Sequence, residues 1–219
     1  MILKNSKKAI NIPLENIILE GDLSIPQEAK SIIIFAHGSG SSRHSTRNIY
    51  VADTLNQEGF GTLLFDLLTQ EEDTVYKNRF NIFLLAKRLK LVTEWLLNNK
   101  KNNNFKIGYF GASTGAAAAV YAACELGGTI SVIVSRGGRV DMVKHYLRKL
   151  YIPTLLIVGE NDSDIIELNK ISYDLIKGEK ELSIVSNAGH LFEEPGTLEK
   201  VAELATNWFK KYLKGKIPI

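Results

Sequence analysis

Five short runs of apolar residues, at 32–36, 62–65, 107–110, 130–134 and 154–158, constrain this chain more than any other feature. Each is rich in β-branched or aromatic residues and continuous rather than alternating, which predicts strands buried on both faces of a parallel sheet. A sixth run at 182–185 predicts a last strand, and 17–25, broken by Gly21-Asp22 and stopped by Pro26, predicts an antiparallel edge. Helical patterns fill the gaps. Ile49, Ala52 and Leu55 recur at helical spacing, with Ser45 placed to cap them and Gly59 to stop them. Ile82, Leu85, Ala86, Leu89, Val92 and Leu96 form a long apolar stripe before a polar loop at 98–104. Residues 116–126 are helix-forming and close on Gly127-Gly128, and 165–176 end near Gly178. Leu198, Val201, Ala205, Trp208 and Tyr212 mark a final amphipathic helix. The βαβα order predicts an α/β fold, a mostly parallel central sheet with helices on both faces, as a single domain over 1–219. Such sheets bind ligands beyond the carboxyl ends of their strands, so chemistry is sought in the loops that follow each run.

Charge and composition narrow the function classes. The formal charge is +3, and the lysines (Lys100-Lys101, Lys210-Lys211) are scattered over helices and tail rather than gathered into a stripe with aromatics. Solvated faces account for them, and a nucleic-acid partner is not expected. The one cysteine, Cys124, has no partner for an internal disulfide and sits in an apolar helical stretch, where it acts as a small filler. Residues 1–14 hold no continuous apolar stretch of the kind a secretory signal needs. No span approaches the roughly 18 apolar residues needed to cross a bilayer. A cytoplasmic protein with no membrane partner is the expectation.

The third internal run leads into Gly111-Ala112-Ser113-Thr114-Gly115, a G-x-S-x-G pattern. The pattern alone is a weak signal. Its place between a strand and a helix is what a nucleophile elbow requires, with small flanking residues letting the chain turn sharply under Ser113. A serine alcohol attacks only when a base removes its proton. Of the four histidines, His190 follows the last strand and is the candidate base. His145 lies in a basic helix, His44 in a polar loop, and His37 is placed to brace the Gly38-Ser39-Gly40 loop by hydrogen bonds. The acid is sought after the run at 154–158, where Asp162 and Asp164 both stand. Asp164 suits the first turn of the next helix, which leaves Asp162 as the catalytic candidate. The chain order Ser113, Asp162, His190 is the serine–acid–histidine order of α/β-hydrolases. The N–H groups of Thr114 and Ser39 are the expected oxyanion hole. The glycine-serine loop lacks the lysine of a phosphate-binding loop, and no metal or cofactor is called for.

With these residues in view, the chain resembles the α/β-hydrolases over nearly its whole length, above all the small, lidless dienelactone-hydrolase-like branch. The likeness rests on Phe35-Ala36-His37-Gly38-Ser39-Gly40, the elbow at Ser113, Gly159-Glu160-Asn161-Asp162 and Gly189-His190. It implies an α/β-hydrolase fold without a substantial lid, and the same three catalytic residues. Dienelactone hydrolases proper use a cysteine nucleophile, whereas this elbow carries serine, so the implied class is a carboxylic ester hydrolase acting on small soluble esters. An acyltransferase, perhydrolase or thioesterase with the same triad, or a non-catalytic binding module on the same fold, are the alternatives. Arg136 follows a strand end, and it and Arg43 are candidates for binding an anionic group of the substrate. The competing expectation is a structural salt bridge from Arg136 to Asp66 or Asp141.

Overall fold

In the computed structural model, which describes residues 7–98 and 104–214, the five apolar runs form the middle of one eight-stranded sheet. An edge hairpin precedes them, β1 (Lys8–Leu14) and β2 (Ile17–Ser24). The runs become β3 (Ser31–Ala36), β4 (Gly61–Phe65), β5 (Lys106–Ala112), β6 (Ile130–Arg136) and β7 (Thr154–Gly159), with nearly every residue buried. β8 (Lys180–Val185) closes the far edge. The spatial order is β1-β2-β4-β3-β5-β6-β7-β8, parallel from β4 onward and antiparallel through β1 and β2.

One expectation needs correcting. The segment at 17–25 is not the edge, because β2 pairs on one side with β4 and on the other with β1. In β1 only Ile12 and Leu14 are buried, while Lys8, Asn11 and Pro13 face water. A half-buried edge strand writes an alternating pattern over few residues, which is fainter than the continuous run of a central strand. Pro13 is tolerated there because an edge position asks less of its backbone.

Helices cover both faces. In chain order they are α1 (Thr46–Gln57), α2 (Gln70–Asp73), α3 (Ile82–Asn98), α4 (Thr114–Leu126), α5 (Lys144–Leu147), α6 (Ser163–Leu175) and α7 (Thr197–Phe209). Ser45 caps α1 by accepting the Asn48 N–H. α1 and α7 pack over Val51, Leu55, Phe110, Val134, Val201 and Phe209. α3, α4 and α6 cover the opposite face, over Leu85, Leu89, Val92, Ala118, Ile133 and Ile176. Each large apolar side chain so buried contributes roughly 1.5–3 kcal/mol to holding the layers together.

Between β6 and β7 there is only a 3₁₀ turn at Val140–Val143 and the single turn of α5, and among the described residues no lid is evident over the strand ends. Among the described residues no helix is long and apolar enough to cross a membrane. Cys124 is half-buried on α4, and burial pushes its thiol up to about 11, which keeps it protonated and unreactive. The Lys100-Lys101 pair, most of the polar loop at 98–104 and residues 1–6 of the N-terminal stretch lie outside the described residues.

Candidate active site

Ser113 stands between the end of β5 and the start of α4 with φ 50° and ψ −122°, a left-handed backbone that a serine rarely adopts. Three backbone hydrogen bonds hold it there. Its N–H donates to the Arg136 carbonyl at 3.1 Å, and its own carbonyl accepts from Ala116 at 3.1 Å and Arg139 at 3.0 Å. The flanking glycines make the turn possible. A Cβ at Gly111 would lie 2.5 Å from Ala116 Cα, and one at Gly115 would lie 2.1 Å from the Ala36 carbonyl oxygen. Such a strained residue persists only where the surroundings enforce it, and functional sites are where this is found.

The loops after β7 and β8 are laced together. Glu160 and Asn161 donate backbone N–H groups to the carbonyls of Val185 and Ala188, each at 2.9 Å. Asn187 N–H donates to Glu160 Oε2 at 2.8 Å, and Gly189 N–H to Glu194 Oε1 at 3.0 Å. The N–H groups of Glu194 itself, Gly189 and Glu193 hold the Glu194 carboxyl below its ordinary range, so it stays an anion bracing the loop. Within this frame His190 Nδ1 meets Asp162 Oδ2 at 2.6 Å. Asp162 occupies the position before α6 yet makes no capping hydrogen bond, because its carboxylate turns to the imidazole. Asp164 is exposed in the first turn of α6. Gly137, beyond β6, closes the gap: a side chain there would approach His190 Cε1 within 3.3 Å.

The other histidines are placed differently. His37 Nδ1 bonds the Gly38 carbonyl at 3.0 Å, while Nε2 accepts the Leu67 N–H at 3.1 Å. Both nitrogens are committed, the ring is neutral, and burial lowers its pKa. It braces the loop and has no nitrogen left to act as a base. His44 and His145 are exposed.

The two N–H groups expected to form an oxyanion hole differ. The Thr114 N–H opens α4 and has no acceptor among the described residues, as the first N–H of a helix often lacks one. The Ser39 N–H is not open in the same way, because it donates to Thr114 Oγ1 at 2.9 Å. The Thr114 side chain fastens the elbow to the Ser39 loop, a role beyond the backbone donor that its place in the sequence suggests.

The arginines also need correcting. Arg43 is not available to a substrate anion: it pairs with Asp66, and Nη2 sits 2.6 Å from Glu20 Oε2. Asp141, the other expected partner of Arg136, binds Arg139 with Nε at 2.9 Å. Arg136 therefore takes neither carboxylate and is buried, 7% exposed, with no ion pair among the described residues. A cavity of about 510 Å³ adjoins the His37 loop at this end of the sheet, lined among others by His37, Ser41, Arg43, Asp66 and Leu68. Among the described residues no group of three His, Cys, Asp or Glu side chains converges as a metal site would require.

This architecture has relatives. A family model described as the dienelactone hydrolase family matches residues 19–214. A dienelactone hydrolase from Anabaena variabilis superposes with a TM-score of 0.93 at 47% identity, covering 96% of this chain and 99% of that one. Est1E from Butyrivibrio proteoclasticus, at 16% identity, covers 92% of this chain and 97% of its own with a TM-score of 0.78, which is a likeness of fold. Two strains of Mycobacterium tuberculosis carry a protein named "Putative phosphoribosyl transferase", 51% identical over 198 residues. That match takes in 90% of this chain and 45% of the relative, so the chain spans about half the length of those proteins.

Proposed function

The chain belongs to the dienelactone hydrolase family, and on that premise we propose that it is a serine hydrolase of small carboxylic esters. Ser113 is the nucleophile, His190 the base and Asp162 the residue that orients it. The observation that carries this is the 2.6 Å contact of Asp162 Oδ2 with His190 Nδ1, set beside a serine whose backbone is held at φ 50°. That contact fixes the proton on Nδ1 and leaves Nε2 as the acceptor.

In the proposed cycle Nε2 takes the hydroxyl proton of Ser113 as Oγ bonds to the ester carbonyl carbon. The carbonyl electron pair moves to oxygen, and this oxyanion meets the Thr114 N–H at the positive end of α4. The Thr114 hydroxyl, by accepting from Ser39, ties the loop after β3 to this donor. The carbon–oxygen bond to the alcohol then breaks, and His190 returns the proton to the leaving oxygen. Water, deprotonated by the same nitrogen, attacks the acyl-enzyme; the carboxylic acid leaves and Ser113 regains its proton. With no lid over the strand ends, small soluble esters suit the site better than long acyl chains.

The transferase name borne by the mycobacterial relatives describes proteins more than half of which lies outside the match, and no observation at this site carries that chemistry. A fluorophosphonate probe should label Ser113 in the wild type and not in S113A, with short p-nitrophenyl esters turned over by the wild type alone. Unchanged turnover in S113A would overturn the proposal. Product analysis with alcohols, thiols and peroxide as competing acceptors separates hydrolysis from acyl transfer.

A further inference from the structure

A helix that packs on a sheet ordinarily buries apolar side chains, yet the two buried residues of α6 are polar, Asn169 and Ser172, each 0% exposed. Ser172 spends its hydroxyl inside the helix, on the Leu168 carbonyl at 2.7 Å. Asn169 reaches further. Its amide Nδ2 donates to the Ile165 carbonyl at 2.8 Å and, across to the loop after β6, to the Gly138 carbonyl at 2.9 Å. Both partners are acceptors, which fixes the amide with its nitrogen toward them. Oδ1 is left buried with no partner among the described residues. An unmatched buried acceptor is costly, so packing alone does not account for an amide here; the donor to Gly138 does.

Gly138 is the middle of a three-residue segment, 137–139, that meets both of the other candidate catalytic residues. On one side the Arg139 N–H donates to the Ser113 carbonyl at 3.0 Å, one of the bonds that hold the strained elbow. On the other, Gly137 N–H donates to the Ile157 carbonyl at 2.8 Å, and its Cα faces the His190 ring so closely that a Cβ would lie 3.3 Å from Cε1 and 3.4 Å from Nδ1. Gly138 itself is pressed down onto β6 and α4: a Cβ there would fall 1.9 Å from Ser135 Oγ and 2.8 Å from Ala116 Cβ. Asn169 holds the same peptide from the side. It also belongs to the helix that starts just after Asp162, which stands seven residues earlier, two turns up the same face.

We propose that Asn169 is a positioning residue of this site: by holding the Gly138 carbonyl it locks the helix that follows Asp162 to the segment that supports Ser113 and borders His190. The inference rests on the triad reading for its effect on turnover; its effect on the placement of His190 stands apart from that reading. Without the donor the Gly138 carbonyl is buried and unpaired, and the segment shifts to find another partner. Arg139 N–H and Gly137 move with it, so the serine and the imidazole lose their relative setting. Proton transfer between them needs hydrogen-bond reach, and a displacement of about 1 Å from a residue away from the chemistry is enough to slow it.

The test compares N169L, which keeps the branched outline and removes the donor, with N169S, whose smaller side chain bonds back to its own helix and serves should N169L not fold. S172A is the control, a buried hydroxyl lost from the same helix with no bond outside it. Competent sites are counted by fluorophosphonate labelling, so that unfolded protein does not enter kcat. On p-nitrophenyl butyrate the Asn169 variants should lose about tenfold or more in kcat with KM within about twofold. S172A should keep kcat and KM within about twofold while its melting temperature falls. A kcat per labelled site close to that of the wild type in either Asn169 variant, or an equal loss in S172A, would make the role merely structural and overturn the proposal. Should the wild type turn over no ester, the esterase proposal falls, and the proton resonance of His190 Cε1 at fixed pH, identified by its absence from H190Q, decides alone. A shift in N169S that S172A lacks upholds the positioning; no shift overturns it.

Discussion

The strand-end edge of this sheet has two halves that treat polar groups in opposite ways. Around β2 and β4 the arginines are paired, Arg43 with Asp66 and Glu20, Arg79 with Asp73 and Arg88 with Glu72, both nitrogens of His37 meet backbone, and only Arg88 Nε and Ser24 Oγ are buried there without a partner among the described residues. Around β5, β6 and β8, groups stand open among the described residues: the Thr114 N–H, His190 Nε2, and Arg136 with its unpartnered Nε. Unsatisfied polar groups are costly in a fold, so a cluster of them on one side points to work done on something that arrives from outside. The closed half holds the loops, and the open half carries the proposed chemistry.

Substitution in the open half should therefore remove turnover without loosening the protein. S113A should lower kcat by at least about a thousandfold on short esters while leaving the melting temperature within a few degrees. S113G goes further: glycine relieves the strain at φ 50°, so it should be as inactive and more stable by about 1 kcal/mol. A loss of stability in either would blur the division. D162N should cost about a hundredfold or more in kcat, because an amide no longer holds the proton on His190 Nδ1. D164N, changing an exposed carboxylate two residues away, should leave kcat within a factor of about two. Comparable losses in the two would break the assignment of Asp162.

Why Asp162 and Asp164 are separable from sequence, while Arg43 and Arg136 are not, has a physical answer. The first pair differs in a local property, distance from a strand end and fit to a helix first turn, which the chain itself records. The arginines differ only in what lies across the sheet. Asp66 is 23 residues from Arg43, and Asn48 is 88 from Arg136, so no window of sequence contains the partners that decide their roles. The same holds for the Ser39 N–H and Thr114 Oγ1, 75 residues apart. The central strands announce themselves by continuous burial, and the elbow by its glycines. β1 speaks only through Ile10, Ile12 and Leu14 and is audible once its partner is known.

The closed half makes the converse claim, that its groups serve stability first. Asp66 is the strongest case, since it accepts both the backbone N–H of Arg43 at 2.7 Å and its guanidinium. The pair is mostly shielded, with 18% and 22% of the side chains exposed. D66N should destabilise the protein by about 1–2 kcal/mol, between the values for surface and buried pairs. That is a fall of several degrees in melting temperature, with kcat on a neutral ester reduced less than threefold.

His37 gives the smallest and most discriminating effect, because it reads out with pH. Its folded pKa is lowered from the ordinary 6.5 by burial, and Nε2 must stay unprotonated to accept the Leu67 N–H. The unfolded chain takes up the proton near 6.5 while the folded protein resists it. Stability from this group is therefore complete above pH 6.5 and falls as pH drops toward the lowered folded value, by at most about 1.4 kcal/mol per pH unit. H37Q offers an amide oxygen to the same N–H but has nothing to titrate. Its melting temperature should start below that of the wild type at pH 7.5 and decline less steeply between pH 6.5 and 5. Parallel curves for the two proteins would mean that the imidazole is not held neutral by its loop, and the line between the closed and open halves would have to be drawn elsewhere.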